Sequence, residues 1–406
     1  MRRFLAIALL AAAACDSAGG LDYSGTPGQE IPVTIASSVP VIDASADGAP
    51  GRFLVDSGSP VTILDPTGGE PGTRRVALDA FALTFPDVPV AIFDPFAGSA
   101  QALDGLVGGD VISGFALTID YRNQRGWLEQ DDDAPPAGAD PATVDDPVWT
   151  DAQLRGGGRL DVPGCTIGDC SVHVGATRLL VEVSLESAAP AWFLVDTGAT
   201  AVVLAPGVAD ALGDPARPRL DGVTVATADG EATAYYTRVG DMAVADGAVT
   251  ATDVPVLVLP ASLLAPLEDE VGHPIAGLLG GSFLRQFLVT LDDPSHRLRL
   301  ARFRDQDHID ADEFVGVGFT MASRGGVWEI RDVYSGTDAA AEGLVRGEPV
   351  VSLDGVALAG ADRATIDGIL AGFALGDDVA VAVVRGGADV TLQVAVEDLL
   401  PHYTRP

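Results

Sequence analysis

The chain carries two short triplets, Asp56-Ser57-Gly58 and Asp196-Thr197-Gly198, whose residue types suit acid–base chemistry. Each follows the same apolar run, Phe53-Leu54-Val55 and Phe193-Leu194-Val195, and the two aspartates stand 140 residues apart. One Asp-hydroxyl-Gly triplet is an ordinary turn in a chain with 48 glycines and 58 acidic residues. Two copies inside a longer match, Ala49 to Gly58 against Ala189 to Gly198, mark an internal repeat. Carboxylates held about 3 Å apart cannot both ionise, so such a pair shares one proton and offers a base beside an acid.

The elements that must bring such a pair together repeat as well. Each triplet lies between extended stretches, 31–44 and 61–64 in the first half and 178–186 and 201–204 in the second, which read as strand, loop, strand. Downstream, Leu106-Val107-Gly108-Gly109 and Leu278-Leu279-Gly280-Gly281 recur, each before an apolar strand, Phe115 to Asp120 and Phe287 to Asp292. Asp87-Val88-Pro89-Val90 and Asp253-Val254-Pro255-Val256 add a third repeated segment, so the chain is a duplicated β-rich unit. The halves are unequal: from the aspartate to the Gly-Gly segment is 52 residues in the first and 84 in the second. Part of the surplus, 223–236, alternates around Asp229-Gly230 and reads as a hairpin, whereas the corresponding stretch 65–75 is short and rich in Gly and Pro.

The paired triplets, each with its apolar-apolar-Gly segment, resemble those of the pepsin and retropepsin superfamily of aspartic proteases. The resemblance implies that Asp56 and Asp196 form a catalytic pair. One would take a proton from a water attacking the scissile carbonyl, and the other, protonated, would hydrogen-bond the developing oxyanion. Which of them carries the proton is not assigned by the sequence, because the pair titrates as a unit. The resemblance further implies that Gly58 and Gly198 let backbone amides approach the carboxylates. It implies that the hydroxyls of Ser57 and Thr197 brace one loop on the other, and that Ser59 hydrogen-bonds the first carboxylate, with Ala199 at the matching second position. The 223–236 hairpin is similar to the family's flap, with Tyr235 or Tyr236 either closing over substrate or packing on its own lobe.

Beyond the duplication, Gly316-Val317-Gly318-Phe319, Ala341-Glu342-Gly343-Leu344 and Gly347-Glu348-Pro349-Val350 occur in an order that resembles a bacterial PDZ domain, with Glu342 and Glu348 departing from the usual Ala and Asp. That resemblance implies a groove in which an extended peptide adds to a sheet edge while the loop Gly316, Val317, Gly318, Phe319 holds its terminal carboxylate. A plain glycine-containing turn is the alternative.

Met1-Arg2-Arg3 and the apolar run from Phe4 to Ala14 read as an export signal, too short to span a bilayer. The segment ending in Cys15 resembles a bacterial lipoprotein signal, which implies a lipidated Cys15 and a chain tethered to a membrane in the cell envelope. Ala12 stands where Leu is usual, and ordinary signal-peptidase cleavage after the alanines is the alternative. Cys165 and Cys170, close in sequence in an exported chain, read as a local disulfide. Residues 129–160, with three consecutive aspartates and a Gly run, read as a solvated linker.

A formal net charge of −34 repels polyanions and excludes nucleic acid as a partner. All 24 basic residues are Arg, so chemistry that needs a lysine, from Walker-type phosphate loops to Schiff bases, is excluded. The five histidines form no HExxH pattern and there is no G-x-S-x-G elbow, which argues against zinc proteases and Ser-His hydrolases; no metal or cofactor is expected. The expectation is a mainly β fold, a bilobal aspartic-protease-like double β-barrel with a C-terminal PDZ domain. Its parts are a signal (1–14), a tether (15–30), a first lobe (31–128), an acidic linker (129–160), a second lobe (161–303) and the PDZ-like domain (314–400). With both triplets in one chain a monomer is expected, cleaving extended polypeptide segments. The competing class is a non-catalytic peptide-binding protein of the same fold.

Overall fold

The structure, a computed structural model, describes residues 21–66, 69–95, 103–130, 144–166, 168, 170–227, 230–304 and 314–405. The export signal and Cys15 lie outside the described residues. Mainly β structure is built from two eight-stranded sheets, one in each half, and a six-stranded sheet to which both halves contribute.

The repeat in the sequence reappears as a repeat in burial. The strands Val39–Ala46 and Arg178–Leu185 bury their residues in the same order, the fifth exposed and the others mostly inside. Each is followed by the strand leading to a triplet, Ala49–Val55 or Ala191–Val195. These run parallel to the short strands Gly105–Val107 and Gly277–Leu279. In both halves a further strand doubles back: Gly72–Ala80 pairs with Val39–Ala46 and Leu83–Ile92, and Gly230–Val244 pairs with Arg178–Leu185 and Val249–Val258. Between the triplet and the Gly-Gly segment the second half adds the strand Arg219–Thr227, on the outer side of Gly230–Val244, and the helices Pro206–Ala211 and Ala261–Val271, which together supply most of its surplus length.

The two halves are locked together below the triplets. Ala116–Asp120 and Phe287–Asp292 pair antiparallel at the centre of the six-stranded sheet, with Thr118 opposite Thr290 and their buried hydroxyls 2.9 Å apart. These two threonines occupy matching places in the repeat, so the pseudo-twofold axis runs between them. Around them one continuous apolar core draws on both halves, from Phe53, Val107 and Leu117 to Phe193, Leu279 and Phe287.

Three expected boundaries move. The segment expected as a tether is structured from Leu21: Tyr23 packs edge-on against Phe115 and Ser24–Gly25 pairs with Leu83–Ile92. The expected linker supplies strands from its second part, Val148–Asp151 pairing with Arg297–Arg302 and Gln153–Arg155 with Arg178–Leu185; its acidic run lies outside the described residues. The hairpin Gly158–Asp161 with Ser171–Val174, beside the Cys165–Cys170 disulfide, buries Leu160, Val162, Val172 and Val174 on the first-half core. In the strands that fall within 129–160 the apolar residues stand among Asp, Pro and Gly, so composition alone does not reveal them.

The C-terminal part has its own core, around Phe319, Ile330, Leu353, Ile366 and Val381. It consists of the pair Phe319–Arg324 and Val327–Val333, a four-stranded sheet and the helix Arg363–Ala371. Its two ends return to the second half: Phe314, Leu399 and Leu400 join the cluster of Leu220, Val223 and Tyr236, and Arg238 Nε donates to the Leu400 carbonyl at 2.9 Å.

Candidate active site

Backbone geometry around the first triplet is repeated around the second. Asp56 N–H donates to the Val107 carbonyl at 3.0 Å, and Asp196 N–H to the Leu279 carbonyl at 3.1 Å, so each aspartate is hung on the short strand beside it. Gly58 N–H and Ser59 N–H then donate to Asp56 Oδ1 at 2.9 and 3.0 Å, and Gly198 N–H and Ala199 N–H to Asp196 Oδ1 at the same distances. Two charge-assisted bonds per carboxylate fix both side chains from their own loops.

The loops also hold each other. Ser57 N–H donates to Thr197 Oγ1 at 3.0 Å and that hydroxyl donates to the Val55 carbonyl at 2.7 Å. Across the axis, Thr197 N–H donates to Ser57 Oγ at 3.1 Å and Ser57 Oγ to the Val195 carbonyl at 2.9 Å. Four buried bonds thus join two segments 140 residues apart, and each hydroxyl is used as donor and acceptor at once.

The glycines explain the close approach of the carboxylates. A methyl group at Gly58 would stand 2.6 Å from Asp196 Cγ, and one at Gly198 would stand 2.5 Å from Asp56 Cγ. Beneath the loops, Gly108 and Gly280 face the Val61 and Ala201 carbonyls so closely that a Cβ would sit 2.3 and 2.2 Å away. The Gly-Gly segments are thus floor rather than chemistry: only the missing side chain lets one loop lie on the other.

Asp56 and Asp196 are 4% and 7% exposed and lie within hydrogen-bonding reach of each other. Burial raises the Asp56 carboxyl above its ordinary range, opposed by the N–H groups of Ser59 and Gly58, by its bond to Asp196 and by the Arg178 charge. Asp196 is raised further, first by burial and then by the charge of Asp56. One proton shared between two buried acids follows from that arrangement. Among the described residues, no group of three His, Cys, Asp or Glu is placed to hold a metal ion.

One expected role comes out differently, and of the two readings of Tyr235 and Tyr236 the structure shows the packed one. The Ser59 hydroxyl donates to the Val61 carbonyl at 2.8 Å, so Ser59 holds Asp56 through its backbone N–H rather than its side chain. Tyr236 is buried against Phe314, ring centroids 5.5 Å apart, in the seam between the second half and the C-terminal part. Tyr235 lies under the Arg219 guanidinium. Neither ring is a flap contact over the carboxylates, because the C-terminal part packs on this hairpin: Ser335 N–H donates to the Asp221 carbonyl and Arg346 pairs with Glu231. In the loop Gly316 to Phe319, Gly316 pairs with Glu397, Gly318 has a φ of +69° and accepts from Tyr334 N–H, and Val317 and Phe319 are buried.

Three residues beside the site escaped the sequence reading. Arg178 Nε donates to the Gly58 carbonyl at 2.8 Å while Nη1 pairs with Glu270, both side chains almost fully buried. A charged residue heading a strand whose next three residues are apolar was the available signal. Glu270 belongs to the helix Ala261–Val271 and falls in step with buried Leu264 and Leu267, three residues apart each time, so helical spacing marks it as facing inward. The Tyr121 hydroxyl is buried, has no hydrogen-bond partner among the described residues, and is pushed up by burial and then by the Asp196 charge.

Comparison with known proteins adds a partial match to this geometry. The sequence model of a family described as aspartyl protease matches residues 181–283, which contain the second triplet and the second Gly-Gly segment. No curated protein matches the chain. Among solved structures, an aminopeptidase N family protein from Idiomarina loihiensis is 21% identical over 21% of this chain, with a TM-score of 0.19, and the chain spans 14% of its length. An aspartic proteinase from Irpex lacteus is 12% identical over 68% of this chain and 97% of its own, with a TM-score of 0.41. Over residues 181–283 the chain is therefore similar to aspartyl proteases, and it presents there one of its two matching carboxylates.

Proposed function

We propose that the chain is an aspartic endopeptidase that hydrolyses peptide bonds of extended polypeptide segments. The observation that carries this reading is the pair Asp56 and Asp196, held in contact by loops that repeat each other bond for bond. The ionised carboxylate takes a proton from a water between them, the resulting nucleophile attacks the carbonyl carbon, and the protonated carboxyl donates to the oxygen as charge develops on it. Proton transfer to the amine then breaks the C–N bond. Each triplet half is read as one barrel lobe, and residues 314–400 as a PDZ-like unit whose groove takes a peptide C-terminus. Export to the cell envelope with a lipid on Cys15 completes the reading. No cofactor is required by it.

The test is cleavage of a denatured protein mixture by the full chain across pH 3 to 8, beside Asp56→Asn and Asp196→Asn. Cleavage lost in either variant supports the shared-proton pair. A folded wild-type chain that cuts nothing overturns the hydrolytic reading and leaves a peptide-binding protein.

A further inference from the structure

The repeat that builds the two loops is broken by a charged side chain beside them. Arg178 heads the strand Arg178–Leu185, and the residue at the matching place in the first half, heading Val39–Ala46, is Val39. The guanidinium is 1% exposed and rests on the carbonyl of Gly58, the residue whose N–H holds Asp56. Glu270, from the helix Ala261–Val271, fixes it there. A buried cation kept on the Asp56 loop makes the two carboxylates electrostatically unequal although their backbone cradles are the same.

We propose that Arg178, fixed by Glu270, is a positioning residue that breaks the twofold equivalence of the pair, so that Asp56 is the ionised partner and Asp196 keeps the shared proton. The pair then carries one negative charge and one proton. The charged and titratable groups facing it are Arg178 with its Glu270 counter-ion and the Tyr121 phenol on the Asp196 side. The Arg178 field lowers Asp56, whereas the Asp56 charge raises Asp196, so both effects push the proton the same way. Insofar as this rests on the proposed hydrolysis, Asp56 is the base toward water and Asp196 the acid toward the carbonyl oxygen.

The experiment reads the charge state without cleavage. In the full chain labelled with ¹³C at aspartate side-chain carboxyls, Asp56→Asn and Asp196→Asn identify the two signals, and each is followed against pH. The Asp56 signal is expected to ionise first. In Arg178→Gln that first ionisation moves up by about one pH unit or more, and Arg178→Lys recovers most of the shift. Glu270→Gln removes the counter-ion and moves it the opposite way, to lower pH. A purely structural role does not yield opposite signs, and Glu270→Gln carries the test if Arg178→Gln fails to fold. An Asp196 signal that ionises first, or shifts that are absent or of one sign, overturns the assignment. The expected titration in a chain that cuts nothing would support the assignment while overturning the hydrolytic reading.

Discussion

Gly58→Ala probes how closely the two carboxylates must approach. The new Cβ would lie 2.6 Å from Asp196 Cγ and 2.7 Å from both of its oxygens, whereas ordinary contact begins at 3.4 Å. The pair must therefore open by about 0.8 Å, since the three nearest atoms all belong to Asp196 and its loop is held by the Ser57–Thr197 bonds. Gly58 does not have a positive φ, so alanine brings no backbone strain of its own. A displacement near 1 Å in a reacting constellation costs on the order of 10²-fold in rate. We expect kcat for a peptide substrate to fall by about two orders of magnitude with KM little changed, and thermal unfolding to show a folded protein. Gly207→Ala is the control: its Cβ meets nothing within 4 Å, and its rate should equal that of the wild type. Initial rates of peptide cleavage across pH, with melting curves, measure both. A Gly58→Ala enzyme within about threefold of the wild type would refute the argument that contact between the carboxylates sets the rate.

Thr197→Val leaves the buried Ser57 N–H and Val55 carbonyl without their partner and should lower stability by about 2 to 5 kcal/mol in urea unfolding, while Thr197→Ser stays near the wild type. Ser59→Ala should cleave within about threefold of the wild type with the same pH profile, because the Ser59 hydroxyl bonds Val61 rather than Asp56. Burial, and then the charge of Asp292, push Asp293 up to about 7 from 3.8, so the folded chain keeps a proton that the unfolded chain loses between those values. Its contribution is full below about pH 4 and falls by about 4 kcal/mol as pH rises to 7 and above, and Asp293→Asn should flatten that slope in unfolding measured at pH 4 and 7.5. Asp196 is also raised, so Asp196→Asn should abolish cleavage yet raise the melting temperature at neutral pH, an effect that disappears in acid; equal melting temperatures at pH 7 would count against a strained pair.

What the sequence determined is the repeat and everything local to it. Phe-Leu-Val strands before each triplet and glycine where a Cβ would strike the opposite carboxylate are set by residues within a few positions of the aspartates, and the Gly-Gly segment on which each loop lies recurs downstream in the same order. Their duplication in the same order, with an offset of 140 residues between the triplets, is enough to foresee a twofold site. The tertiary structure alone decided what crosses that offset. Arg178 reaches Gly58 over 120 residues and Glu270 over 92, so no local pattern could show that the two ends of the site carry different charge. Tyr235 and Tyr236 alternate as flap residues should, yet the hairpin's surface is taken by the C-terminal part, and apolar rings go where area is buried. Likewise Val148–Asp151 and the disulfide hairpin hold too few apolar residues to be recognised alone; the first becomes a strand because Arg297–Arg302 offers it unpaired backbone, and the second pairs with itself over an apolar face of the first half. Short-range steric needs are written in residue type and spacing, whereas the field and cover of a site depend on which distant surfaces meet.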